Sequence, residues 1–380
     1  MPERYRWVVL GAGTFALTSF SAIYFGIAVL APALRDSYGL SLGQTGVLLA
    51  ATNAGSLLTL LPWGLAADRF GERNVTSVGL TLAAAALVGA AFAGSFLELL
   101  AALVGAGAAA ASVNAATGRA VMHWFAREQR GLALGVRQTA VPLGGLIAAV
   151  TLPHVGSVRT ALLALGGGCI AAAAAGALLL QEAGQADGGP QVPSRQTLRD
   201  RRIWRLSWGS SLLLVPQVCL VGFAVLFLHE RRGLAPGSAA AVFAAVQVLG
   251  AGARVGAGRW SDRLGSRVVP LRRIALALGA SVVLTALLVP SPRVVLLPVL
   301  VVAGGLAMSW NGLSFTAAAE AAGHGRSGAA LGLQQTALSV TGTILPPAFG
   351  ALVGATSWQA GFVLVALAPL AAWGVLGRLS

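Results

Sequence analysis

Lysine is missing from this 380-residue chain: all 26 basic residues are arginine, and acidic residues number only 12. Charged residues make up 10% of the sequence, against roughly 25% in a soluble domain, so water is not its main solvent. The two cysteines, Cys169 and Cys219, fall inside apolar runs without CxxC or Cys/His spacing, which leaves them as packing residues. His123, His154, His229 and His324 lie scattered near predicted helix ends, where solvated interface histidines are expected rather than zinc ligands. No Asp or Glu stands mid-run, Glu98 and Glu320 falling at predicted ends. A membrane enzyme would need a mid-membrane constellation of His, Asp, Glu or Cys, and a nucleotide loop would need GxGxxG after a strand. Neither pattern is present, so no enzyme activity, cofactor or metal is expected.

What the chain has instead is apolar length, with 56% hydrophobic residues. A bilayer-spanning helix takes about 20 apolar residues, because its backbone polar groups must be satisfied within the segment. Twelve such stretches begin near Val8, Gly43, Val75, Leu97, Gly131, Thr160, Ser207, Ser238, Arg273, Val294, Gly328 and Trp358. The first, behind Arg4 and Arg6, is too long for a secretory leader and is read as helix 1. One longer connection, Gln181 to Arg205, contains Gly188-Gly189-Pro190 and five arginines, and splits the chain into two sixes. The expected organisation is a six-helix bundle over 1–180, a cytoplasmic linker over 181–206 and a second bundle over 207–380.

The formal net charge of +14 could suggest nucleic acid, but the arginines punctuate apolar runs rather than clustering on one polar domain. They are topology signals, and no nucleic-acid partner is expected. With the N-terminus inside, 18 arginines fall on the cytoplasmic side and five, Arg35, Arg159, Arg231, Arg232 and Arg293, on the other. Arg119, Arg137 and Arg254 lie within helices. This asymmetry predicts cytoplasmic termini, and the all-arginine composition is in keeping with a GC-rich bacterial genome.

The halves repeat. An offset of 194 aligns Asp68 with Asp262. An offset of 197 brings Ser112 and Asn114 onto Ser309 and Asn311, Gly131 onto Gly328, and LGVRQTA from Leu134 onto LGLQQTA from Leu331. GLAADRFGER (Gly64 to Arg73) follows helix 2, and GRWSDRLGSR (Gly258 to Arg267) follows helix 8. Gly64 and Gly258 suit close helix approach, and Asp68 and Asp262 suit a helix N-terminus or a neighbouring arginine. Arg69, Arg73, Arg263 and Arg267 hold the loops at the anionic membrane face, and Gly71 and Gly265 recur at the same spacing.

This paired loop resembles the signature of the major facilitator superfamily, and the resemblance covers essentially the whole chain. It implies an all-α integral membrane protein in which two pseudo-symmetric six-helix bundles enclose a cavity and rock to expose it to alternate sides, with the third helix of each three-helix unit outermost. Independently, helices 3, 6, 9 and 12 carry no Asp, Glu, Asn, Gln, His or Arg in their middles. Asn53, Asn114, Arg137, Gln138, Gln217, Gln247, Arg254, Asn311, Gln334 and Gln335 all fall in other helices.

An arginine at mid-membrane costs roughly 3 kcal/mol by insertion scales, so each needs a reason. Arg254 shares a helix face with Gln247, Gly250 and Gly258. Its position looks like the helix-8 arginine that binds anionic substrate in the oxalate, monocarboxylate and nitrate carriers of the superfamily, although that pattern often has Pro where this chain has Val255. Arg137 stands beside Gln138 and Thr139, and its mate is Gln334. A guanidinium offers carboxylate a planar fork; the structural alternative is an interhelical bond to backbone carbonyls or a gate contact. Arg119 is expected to pair with the loop or with Asp68.

The expected function is alternating-access transport of a small organic or inorganic anion, such as a monocarboxylate, in the bacterial inner membrane. Arg254 and Arg137 are the charge partners and Gln138, Gln247, Gln334, Gln335, Asn53, Asn311 and Tyr24 the polar liners. A coupling proton or exchanged anion and a monomeric state go with this expectation. The alternative is drug or metabolite efflux. Against it stand the missing mid-helix carboxylate and the Ala101-Ala102 region where exporters place an arginine; VPLGG (Val141 to Gly145) matches their Gly-Pro motif only in part.

Overall fold

The computed structural model describes residues 4–125, 129–181, 199–322 and 327–379. Most of the predicted linker (182–198) lies outside them, as do Arg127, Arg195, His324, Arg326 and the side chain of Arg119. Among the described residues the regular elements are all helical, and eleven helices are long and apolar enough to cross a membrane. The longest of them, Leu42–Ala91, turns at Gly71, which resolves the count into the twelve spans expected.

These spans are α1 (Tyr5–Tyr38), α2 (42–70), α3 (72–91), α4 (Phe96–Trp124), α5 (Arg130–Gln138 continued by Ala140–Thr151) and α6 (Val158–Leu179). There follow α7 (Arg201–Glu230), α8 (Pro236–Leu264), α9 (Val268–Leu287), α10 (Arg293–Ala322), α11 (Ser327–Ala355) and α12 (Trp358–Gly377). Polar caps set several starts. Ser41 and Gln44 exchange side-chain bonds to each other's backbone N–H ahead of α2, a capping box. Ser95, Ser157 and Ser357 accept from Glu98, Thr160 and Ala360 N–H at α4, α6 and α12. Asp200 does the same for Arg202, so α7 begins at Arg201, six residues before Ser207, and Arg201, Arg202 and Arg205 are helical rather than part of a linker.

The chain divides into two compact units, Met1–Gly39 with Val47–Pro190, and Leu40–Gly46 with Gln191–Ser380. In the first, α1 packs on α4, α5 and α6. Glycines set the closest approach there: a Cβ at Gly55 would strike the Val104 carbonyl, and one at Gly107 the Thr52 backbone. Ser56, Thr59 and Trp63 of α2 then donate to the Gly107 and Ala108 carbonyls of α4, the small-residue and polar-bond packing that joins helices in lipid.

In the second unit α8 packs on α10, and α9 on α12. An aromatic cluster of Phe223, Phe227, Phe349, Trp358 and Phe362 ties α7 to α11 and α12. After Pro216, α7 widens into a π turn over Gln217–Val221. The helices without polar middles expose apolar side chains: Val78 and Leu82 on α3, Ile170 and Leu178 on α6, Leu284 and Leu287 on α9, Val363 and Leu367 on α12.

Candidate functional site

Arg254 is buried on α8 and reaches α10. There α10 bends at Trp310, between Arg293–Ser309 and Asn311–Ala322, and the last carbonyls of a helical segment lack a partner within it. The Met308 carbonyl accepts from Arg254 Nε at 3.1 Å and Nη2 at 2.9 Å. Asn311 Oδ1 accepts from the same Nη2 at 3.0 Å. Gly250, one turn earlier, is pressed against Met308, which brings α8 close enough for this reach.

Arg137 occupies the other unit and is equally buried. Its Nε donates to Thr117 Oγ1 at 2.9 Å and its Nη2 to Asn114 Oδ1 at 3.4 Å, both on α4. These two partners are neutral, and among the described residues no carboxylate pairs with Arg137. The energies allow this. Hydrogen bonds to a charged group contribute about 1.5–3 kcal/mol each, enough to offset an insertion cost of roughly 3 kcal/mol.

The other expected liners divide. Gln334 is sealed: its Nε2 donates to Ser210 Oγ at 2.7 Å and Ser314 Oγ at 2.6 Å, the two hydroxyls bond each other, and no part of the side chain reaches the surface. Gln247 is also fully buried, with both amide atoms lacking a hydrogen-bond partner. Asn53, Gln138, Gln335, Asn311 and Tyr24 are half-buried; Gln335 Nε2 donates to Ser339 Oγ at 3.5 Å, and Tyr24 stacks edge-on against Phe25. The structure thus joins Arg254 to Asn311 and Arg137 to Asn114.

Thr117, Ser314 and Ser210 are the residues that sequence reading missed. The signal was present, because Thr117 falls on Ser314 at the same offset of 197 that aligns Asn114 with Asn311.

The duplicated loops also acquire specific roles. Gly71 takes φ 80° and ψ 164°, and Gly265 closes α8 at φ 59°; both copies turn on a conformation open to glycine. Gly64 and Gly258 are not pressed by a neighbour within their own units, since a Cβ at either meets no atom there within 4 Å. Asp262 accepts from Arg267 Nη1, as expected of a neighbouring arginine, and Arg267 Nε reaches Glu320 at 3.1 Å. Partial burial works against the Arg267 charge, but the bonds to Asp262 and Glu320 outweigh it and hold its pKa above the ordinary value. In the first unit Arg69 lies over the Phe70 ring.

His123 is not simply a solvated end residue: its Nδ1 meets the buried Glu72 Oε1 at 3.0 Å. At offset 197 His123 falls on Glu320, so each unit ties its motif turn to the end of its fourth helix, with the acid on opposite partners. Among the described residues His154 and His229 meet local carbonyls, at 2.9 and 2.8 Å, and Cys169 and Cys219 are buried and free. Among the described residues no group of three His, Cys, Asp or Glu could hold a metal.

A family model described as Major Facilitator Superfamily matches residues 11–346. The MFS-type transporter Rv2994 of Mycobacterium tuberculosis is 34% identical over 97% of this chain and 84% of its own length. A probable nitrate/nitrite antiporter, NarK1 of Thermus thermophilus, is 39% identical over 36% of this chain and 30% of its own. Among solved structures, a bacterial homologue of the human lysosomal transporter Spinster superposes with a TM-score of 0.83 over 98% of this chain and 96% of that one, at 17% identity; at that identity the likeness concerns fold.

Proposed function

This chain belongs to the major facilitator superfamily of membrane transporters, and we propose that it moves a small organic or inorganic anion by alternating access, with Arg254 and Arg137 as the charge partners of the solute. The observation that carries this reading is a pair of buried guanidiniums, one in each unit, held by neutral oxygens of Met308, Asn311, Thr117 and Asn114 in a chain with no mid-span carboxylate. Such positive charge inside a membrane protein marks a solute or ion pathway by default, and a guanidinium fork matches carboxylate or nitrate.

The anions in the name of the partial relative NarK1 point the same way. Asn53, Gln138 and Tyr24 in the first unit and Gln335 in the second, each half-buried within its unit, are the polar side chains assigned to the solute. The arginine asymmetry supports cytoplasmic termini in a bacterial inner membrane, and coupling to a proton or an exchanged anion supplies the driving force.

Uptake of labelled carboxylates and nitrate into proteoliposomes, under imposed pH and sodium gradients, tests the proposal. Arg254→Ala is expected to lower anion uptake at least tenfold, the scale of one lost charge-assisted bond, with Arg254→Lys recovering only part because lysine lacks the fork. Unchanged uptake in both variants would sink the anion reading.

A further inference from the structure

We infer that Asn114 and Asn311 are positioning residues that orient the two guanidiniums, acting through Arg137 and Arg254 rather than on the solute itself; the inference rests on the anion reading above. The duplication is the first ground. Asn114 and Asn311 are equivalents at offset 197, but the arginines they hold are not. Arg137 comes from α5, and its equivalent is Gln334; Arg254 comes from α8, and its equivalent, measured from the motif, is Leu60. What both units keep is the acceptor, to which each brings a charge by a different route.

The surroundings of each acceptor give the second ground. Gly13, Thr117 and Arg137 in the first unit correspond to Ser210, Ser314 and Gln334 in the second. Arg137 donates to Thr117, and Gln334 donates to Ser314. At Gly13 a Cβ would lie 3.2 Å from Thr117 Cβ, whereas Ser210 fills the matching place, bonds Gln334 and donates to the Leu206 carbonyl at 2.6 Å. The second unit has therefore closed with serines the place from which the first projects its arginine, and its guanidinium reaches the same asparagine from α8.

Chemistry gives the third. An amide oxygen fixes the direction of a guanidinium without neutralising it, while a carboxylate of the same shape would pair with it and compete with an incoming anion. Asn114 and Asn311 are both neutral acceptors, so neither adds an opposing charge to the guanidinium it orients.

Full-length protein carrying Asn311→Leu or Asn311→Asp separates this role from simple packing by two readouts. In proteoliposomes, Asn311→Leu should raise KM for labelled nitrate or lactate about tenfold, the scale of one hydrogen bond to a charged group, with the maximal rate changed far less. Asn311→Asp should abolish uptake. The second readout is the rate at which phenylglyoxal modifies Arg254, followed by peptide mass spectrometry: several-fold faster in Asn311→Leu and slower in Asn311→Asp than in the native protein. Should the leucine variant not fold, the aspartate variant, matched in shape, carries both measurements.

Unchanged KM together with unchanged Arg254 modification overturns the positioning role. If the native protein carries neither probe, the anion reading falls, while the modification rates still decide whether Asn311 orients Arg254.

Discussion

Gln334 and Arg137 occupy equivalent places, yet their donors meet different partners. Both stood out as polar side chains in an apolar run, a pattern that marks polarity but not direction. The structure turns Gln334 onto Ser210 and Ser314, where its donors are used inside unit two. Removing a buried polar group costs little when its partners are not left stranded: Ser210 and Ser314 still bond each other, and the Gln334 Oε1 that is lost is buried without a partner. Gln334→Leu should therefore shift unfolding by less than about 1 kcal/mol and leave anion uptake near the native rate. A large loss of uptake at native stability, read by thermal unfolding beside flux, would assign Gln334 to the solute.

Helices were the most readable level. Starts expected near Val75, Leu97, Ser238, Val294 and Trp358 lie within three residues of the observed ones, because a span in lipid is fixed by apolar length. The glycines inside them were less readable, since composition does not say which face meets a neighbour. Gly64 faces open space within its unit, and Gly71 sits at φ 80°. Gly71→Ala should cost of order 1–3 kcal/mol from backbone strain, whereas Gly64→Ala should be neutral or gain about 0.5–1 kcal/mol from helix propensity. Thermal unfolding of both variants in detergent checks the pair, and equal destabilisation would show a close-packing role for Gly64.

For the molecule as a whole, orientation rests on arginine placement. Leu264, at the motif end of α8, and Gly156, between α5 and α6, are both exposed, while Cys169 and Cys219 are buried and should react slowly with thiol reagents. An impermeant maleimide added to intact cells should label Gly156→Cys and spare Leu264→Cys until the membrane is opened. The reverse pattern would invert the proposed topology.

The sequence by itself determined the membrane class, the twelve spans and the duplication, because apolar length and repeated motifs are local properties that survive without coordinates. It also located both arginines, since a charge inside an apolar run is conspicuous wherever the chain folds. Only tertiary structure decided what those charges touch. Asn114 and Thr117 lie 23 and 20 residues from Arg137, and Met308 and Asn311 lie 54 and 57 from Arg254. Such partners are chosen by the rotation of one helix against another and by the bend at Trp310, which packing sets and one-dimensional spacing does not.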